Sequence, residues 1–177
     1  MGNNHLNWFD ESKRKILILS FEEDYLRMIG NAISKIDIEV NDSIGFKNDD
    51  VYYNKLSLKL YYLTTKNRHL WKHHFLGTQG IIMIFSFHST TNDKRIIYEA
   101  MNVFADKNII GLPILVLVDI NNPDEGIIEN LRSELNKAQD EYSTLVKFQY
   151  IDFKEDINEL GVGFDWLCET MKPLNNK

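Results

Sequence analysis

Two uninterrupted apolar runs, Gly80 to Phe87 (GIIMIFSF) and Pro113 to Val118 (PILVLV), constrain the fold more than any other feature of the chain. A strand with one buried face alternates apolar and polar residues, whereas a strand covered on both faces reads as continuous Val, Ile and Leu. The second pattern belongs to parallel sheets sandwiched by helices. Between the runs, Asp93 to Asn108 (DKRIIYEAMNVFADKN) has helical periodicity: Ile96, Ile97, Ala100, Val103 and Phe104 share one face, and Asp93 is placed to cap the start. Strand, helix and parallel strand in that order make a right-handed crossover unit.

The remaining segments extend this unit. Lys15 to Leu19 is an apolar run of strand length, and Tyr25 to Ile36 sets Leu26, Ile29 and Ile33 on one helical face. Val51 to Tyr53 and Leu56 to Leu60 alternate around Asn54 and Lys55, as the arms of a hairpin do. After Pro123, Ile127, Ile128, Leu131 and Leu135 mark another helix, Val146 to Ile151 a last strand and Val162 to Met171 a closing helix. The predicted class is α/β, a doubly wound, mostly parallel sheet with one antiparallel hairpin strand and helices on both faces. With 177 residues, 44% of them hydrophobic, one domain is expected. Net charge is -6 and the basic residues are scattered, which argues against nucleic acid as a partner. A single cysteine, Cys168, excludes an internal disulfide, and no apolar run reaches the roughly eighteen residues of a membrane span. The start MGNNHLNWFDESKRK lacks the basic and apolar regions of a secretory leader, so a cytoplasmic setting is expected.

Five stretches occur in order along the chain: Met1-Gly2-Asn3 with Trp8-Phe9, Ser43-Ile-Gly-Phe46, Leu70-Trp71-Lys-His-His-Phe75, Thr78-Gln79-Gly80, and Gly163-Phe-Asp-Trp-Leu167. Together they resemble the ADP-ribosylation factor (Arf) and Arf-like small GTPase family. The resemblance covers essentially the whole chain and implies a small GTPase-like three-layer fold with a six-stranded sheet. It divides the chain into an amphipathic N-terminal segment, 1–14, and a degenerate Arf-like domain, 15–177.

The family's nucleotide motifs are altered. Where the resemblance places the phosphate loop GxxxxGK[ST], the chain reads Ser20-Phe-Glu-Glu-Asp-Tyr-Leu-Arg27. Ser20 and Tyr25 replace the glycines, Leu26 the lysine and Arg27 the magnesium-binding hydroxyl. Losing two charge-assisted contacts costs roughly 3–6 kcal/mol of binding, before any repulsion from Glu22, Glu23 and Asp24. Tyr62 to Lys66 replaces the Asp-x-Gly-Gly-Gln that positions water, and Val118-Asp119-Ile-Asn121 replaces the guanine-reading Asn-Lys-x-Asp. Ile151 to Phe153 takes the place of the last base loop, and Ser43 alone keeps a suitable hydroxyl. The expectation is a pseudo-GTPase, no enzyme, without cofactor or metal.

By the same resemblance, the effector-binding aromatic cluster falls on Phe46, Tyr61 and His74, and Gly2 is the myristoylation candidate beside Leu6, Trp8 and Phe9. The expected partner is a protein effector or an Arf-family regulator, with peripheral contact at the Golgi or another endomembrane in vesicle-mediated transport. The competing reading of the three side chains is that they only cover the hairpin. The competing reading of the whole is a genuine GTP-binding regulatory protein with unconventional contacts, and a third is a decoy for an exchange factor. His69 and His73, four apart on an expected helix, raise a metal site, but no carboxylate or cysteine is evidently placed to complete it. Cys168 reads as a buried structural residue, and the Glu22 to Asp24 carboxylates as a solvated helix start.

Overall fold

The computed structural model describes residues 13–33, 39–41, 48–87, 93–121, 124–155 and 157–171. The elements in chain order are β1 (Lys13–Ser20), α1 (Glu23–Ile33), β2 (Glu39–Asn41), β3 (Asn48–Tyr53), β4 (Leu56–Thr64), a 3-10 segment (Thr65–His74), β5 (Gly80–Phe85), α2 (Asp93–Phe104), β6 (Pro113–Asp119), α3 (Glu125–Tyr142), β7 (Leu145–Ile151) and α4 (Ile157–Met171). The sheet order is β2-β3-β4-β1-β5-β6-β7, so it ends on β2 at one side and β7 at the other. β1 pairs in parallel with both β4 and β5, while β2, β3 and β4 form the antiparallel part.

This is the expected class, with one short strand more than anticipated: β2 spans three residues and adds to the hairpin edge. The runs GIIMIF and PILVLVD are buried throughout, because alternate residues serve two separate cores. Ile16, Ile18, Leu58, Leu60, Ile82, Ile84, Leu115 and Leu117 face α1 and α4. Leu17, Leu19, Ile81, Met83, Phe85, Val116 and Val118 face α2, α3 and the 3-10 segment, whose Trp71 is buried, with buried Phe75 just beyond its end. Period-two side chains on strands covered on both faces produce this division directly.

Local chemistry sets the boundaries. Asn54 and Lys55 both have positive φ, 48° and 63°, the type I′ turn that fits a two-residue hairpin. Helix α2 stops at Phe104, short of the expected Asn108, because Asp106 offers a competing turn: its carboxylate accepts from Asn108 N at 2.9 Å and its carbonyl from Ile109 N at 2.8 Å. Asp124 caps α3 by accepting from Ile127 N at 3.2 Å. Helix α1 opens at Glu23, so the acidic run does lie at a helix start, where negative charge is favoured. Cys168 is fully buried on α4, among the residues packed on α1 and the sheet. Ile36 lies outside the described residues.

Candidate functional site

In open α/β sheets ligands bind beyond the carboxyl ends of the strands. Here that end is built from three connections: β1 to α1, β6 to α3 and β7 to α4. Only Phe21 and Glu22 separate β1 from α1, and Ser20 Oγ folds the step by accepting from Glu22 N at 3.1 Å and donating to Glu22 O at 2.7 Å. The helix therefore begins before Tyr25, and no open loop of backbone N–H groups precedes it to wrap phosphates. Leu26, at the lysine position, is a core residue, and Arg27, at the hydroxyl position, is exposed beside Asp24 at 3.6 Å.

Tyr25 stands in the first turn of α1 and is only 6% exposed. Its hydroxyl donates to Asp119 Oδ2 at the end of β6, and its ring meets Phe153 edge-on with centroids 5.3 Å apart. Because β5 lies between β1 and β6 in the sheet, the phenol crosses the end of β5 to reach its acceptor. A hydrogen bond to a carboxylate contributes about 1.5–3 kcal/mol. Burial first, then the bond to Asp119 and its negative charge, raise the phenol's pKa well above its ordinary value, so it stays protonated as a donor. Asp119 is buried, and its Oδ1 accepts from Asn121 N at 3.1 Å and Asn121 Nδ2 at 2.9 Å. Asn121 Nδ2 also reaches Asp152 Oδ1 at 3.5 Å, and Asp152 accepts from Lys154 N at 2.8 Å, the chief cause of its lowered pKa. Val118 is buried in the core and faces away from this network.

The structure thus brings Tyr25, Asp119 and Asn121 together, and leaves Ser20, Leu26, Arg27 and Val118 out. In this arrangement the residues do not fit a magnesium-bound nucleotide: a tyrosine ring spans the crevice, and the lysine, hydroxyl and loop that would hold phosphates are replaced by core, surface and helix.

A second cluster lies on the face of β4. Tyr61 and His74 have ring centroids 5.9 Å apart, and Lys15 Nζ and Lys59 Nζ lie 5.1 Å and 5.7 Å from the Tyr61 centroid. Lys15 also donates to the carbonyls of His74 and Leu76, the latter at 3.0 Å, fixing the end of the 3-10 segment to the central strand. Burial first, then the charges of Lys15 and His73, hold His74 below the ordinary imidazole value, so it presents a neutral ring at pH 7. Phe46, Ser43, Gly2, Leu6, Trp8 and Phe9 lie outside the described residues. His69 and His73 sit in a 3-10 helix, where residues three apart, not four, share a face. The expected common face of those two histidines is corrected accordingly, and among the described residues no three metal-ligating side chains converge.

Sequence reading missed Lys15 and Lys59 as companions of Tyr61, and Phe153 as the wall behind Tyr25. Lys15 looks like ordinary strand-edge charge, and Phe153 lies far from Tyr25 in sequence, so neither gave a local signal.

No protein-family model matches the chain. It is 29% identical over 144 residues to ADP-ribosylation factor K of Dictyostelium discoideum, a match covering 76% of this chain and 71% of that protein. It is 26% identical over 162 residues to ADP-ribosylation factor J of the same organism, covering 86% and 78% respectively. Its fold matches the structure of the Arl6 BBS3 small GTPase from Trypanosoma brucei with bound nucleotide analogue GppNp. That match has a TM-score of 0.66 at 13% identity and covers 90% of this chain and 97% of that one. These relatives correct the expectation that the chain is no enzyme, since they are Arf and Arf-like GTPases and nothing in the comparisons is a positive sign of lost activity. Two relatives by sequence and one by fold agree, and the family they support for this chain is that of the Arf and Arf-like small GTPases.

Proposed function

We propose that the chain is an Arf-like regulatory protein of membrane trafficking that docks a protein partner on the surface of β4 and the 3-10 segment. Tyr61 and His74 form the centre of the contact, Phe46 adds to it, and the N-terminal segment with Gly2 contacts an endomembrane. The observation that carries this reading is the Tyr61–His74 pair, a tyrosine flanked by two lysines and a neutral imidazole, half-buried on one face. Aromatic side chains with a polar tip combine a large contact area with little conformational freedom to lose, which is why they dominate interface energetics.

Partner recovery in a pull-down from the native cell is the test. Tyr61→Ala should reduce it by at least about tenfold, as loss of a central aromatic anchor does, and Phe46→Ala should reduce it as well. Undiminished recovery by both variants, with melting temperatures close to the parent's, would remove the surface from consideration.

A further inference from the structure

Between the 3-10 segment and α2 the surface opens into a groove of about 250 Å³. Its floor is apolar, formed by Trp71, Phe75 and Val103 of the core, and its rim is polar, with Arg68 and Lys72 on the segment and Glu99 and Asn102 on α2. Small-molecule sites usually measure roughly 300–1,000 Å³, so this space takes one large side chain and not a cofactor. Two ion pairs hold the walls: Arg68 reaches Glu99 at 2.6 Å from the segment, and Arg95 reaches the same carboxylate at 2.9 Å from one turn earlier on α2. The first pair ties segment to helix, so the groove is formed before anything enters it and less ordering is left for binding. The charge here runs against that of the chain. Net charge is -6, yet Arg68, Lys72 and Arg95 gather around a single carboxylate, already engaged by two of them. Lys72 is exposed and belongs to none of the ion pairs among the described residues. Asn102, also exposed, offers a donor and an acceptor. Tyr98, exposed one turn before it on α2, continues the apolar surface past the rim.

We infer that this groove docks a short acidic segment of a protein partner. One large apolar side chain of that segment fills the space over Trp71, Phe75 and Val103, flanking carboxylates meet Lys72 and Arg68, and Asn102 bonds the segment's backbone. A basic segment of the same shape would fill the space and meet repulsion at the rim. Charge complementarity of this kind selects partners and speeds their encounter more than it raises affinity. The inference rests on the reading of the 3-10 segment as a partner surface, since Lys72 and His74 both belong to it, and adds the chemistry the partner must bring.

The test is nuclear magnetic resonance titration of the isotope-labelled full chain with three synthetic peptides: EDLFDE, EDGGDE, which lacks the apolar side chains, and KKLFKK, which reverses the charge. EDLFDE should shift the amide signals of Lys72 and Asn102 and saturate below about 1 mM, and the other two should bind at least about fivefold more weakly. Lys72→Glu should weaken EDLFDE about fivefold, and Asn102→Trp, which fills the groove from its rim, at least about tenfold. Both positions are exposed, so these variants keep the parent's packing. Lys137→Glu, the same charge change on α3 outside the groove, should match the parent. Absence of saturable shifts with EDLFDE, equal binding of EDGGDE, or parental affinity in both groove variants overturns the inference. The peptide stands in for the partner, so such a failure removes the groove alone; the pull-down with Tyr61→Ala judges the β4 contact separately.

Discussion

Replacing Trp71 with alanine is expected to lower the stability of the domain by about 3–5 kcal/mol, the range for deleting a buried aromatic side chain. For a domain of this size that corresponds to a fall in melting temperature on the order of 10 °C. Trp71 is buried in the core shared by α2, α3 and the sheet, and meets Phe21 edge-to-face with centroids 5.6 Å apart. It is the large apolar anchor of a ten-residue 3-10 segment, a geometry whose own hydrogen bonds are poor. Tertiary packing must therefore hold the segment in place. The same substitution should weaken partner recovery, because His74 belongs to that segment and Tyr61 packs beside it. Calorimetry checks the first effect; a melting temperature within about 2 °C of the parent's would show that the segment is held by something other than Trp71.

The second large effect is expected at Gly163, where valine should cost about 3 kcal/mol through overpacking. A Cβ there would run into Gln149 Oε1 and come within 2.9 Å of Leu115 Cδ2. Neither neighbour can retreat easily: Leu115 is fully buried on β6, and Gln149 Nε2 is engaged by the carbonyl of Glu159 and, at 3.2 Å, its carboxylate. Gly163 thus fixes how closely α4 approaches β6 and β7. Alanine should be milder, since its gain in helix propensity of up to about 1 kcal/mol offsets part of the clash. Urea titration of the two variants checks the order, and a valine variant as stable as the parent would contradict the close approach.

Much of this architecture could be read from residues alone, for a physical reason. Ile81 to Phe85 and Ile114 to Val118 are apolar without a break because both faces are covered, and their shortness and β-branched content separate them from a buried helix segment, which the apolar pattern alone does not do. Asn54-Lys55 between two alternating segments fixed the hairpin in the same way. Glu39–Asn41 was missed because three residues, two of them polar, carry no period. The 3-10 geometry of Thr65–His74 was missed because apolar spacing separates helix from strand far better than it separates one helix type from another. At the crevice the sequence showed which family residues had been replaced and nothing of what the replacements do. Tyr25 and Asp119 are 94 positions apart, and only the fold makes them partners. The inference from missing motifs to a non-enzyme went further than residue replacement can carry, since relatives by sequence and fold are GTPases.

The unequal edges of the sheet bear on how the protein behaves when concentrated. β2, with three residues, offers almost no template for another chain, whereas β7 offers seven. That longer edge displays Leu145 and Tyr150 at its surface, and Arg132 lies 4.2 Å from the Phe148 ring centroid and 5.4 Å from that of Tyr150. Lys147 adds a second cation to the strand. Charges on an exposed edge are a common safeguard against strand-to-strand association, and like cations on two approaching copies repel. Salt shortens the reach of that repulsion to about 3 Å at 1 M. Self-association through β7 should therefore grow with ionic strength, which light scattering across a salt series reads directly, and scattering that falls as salt rises would place the protection elsewhere.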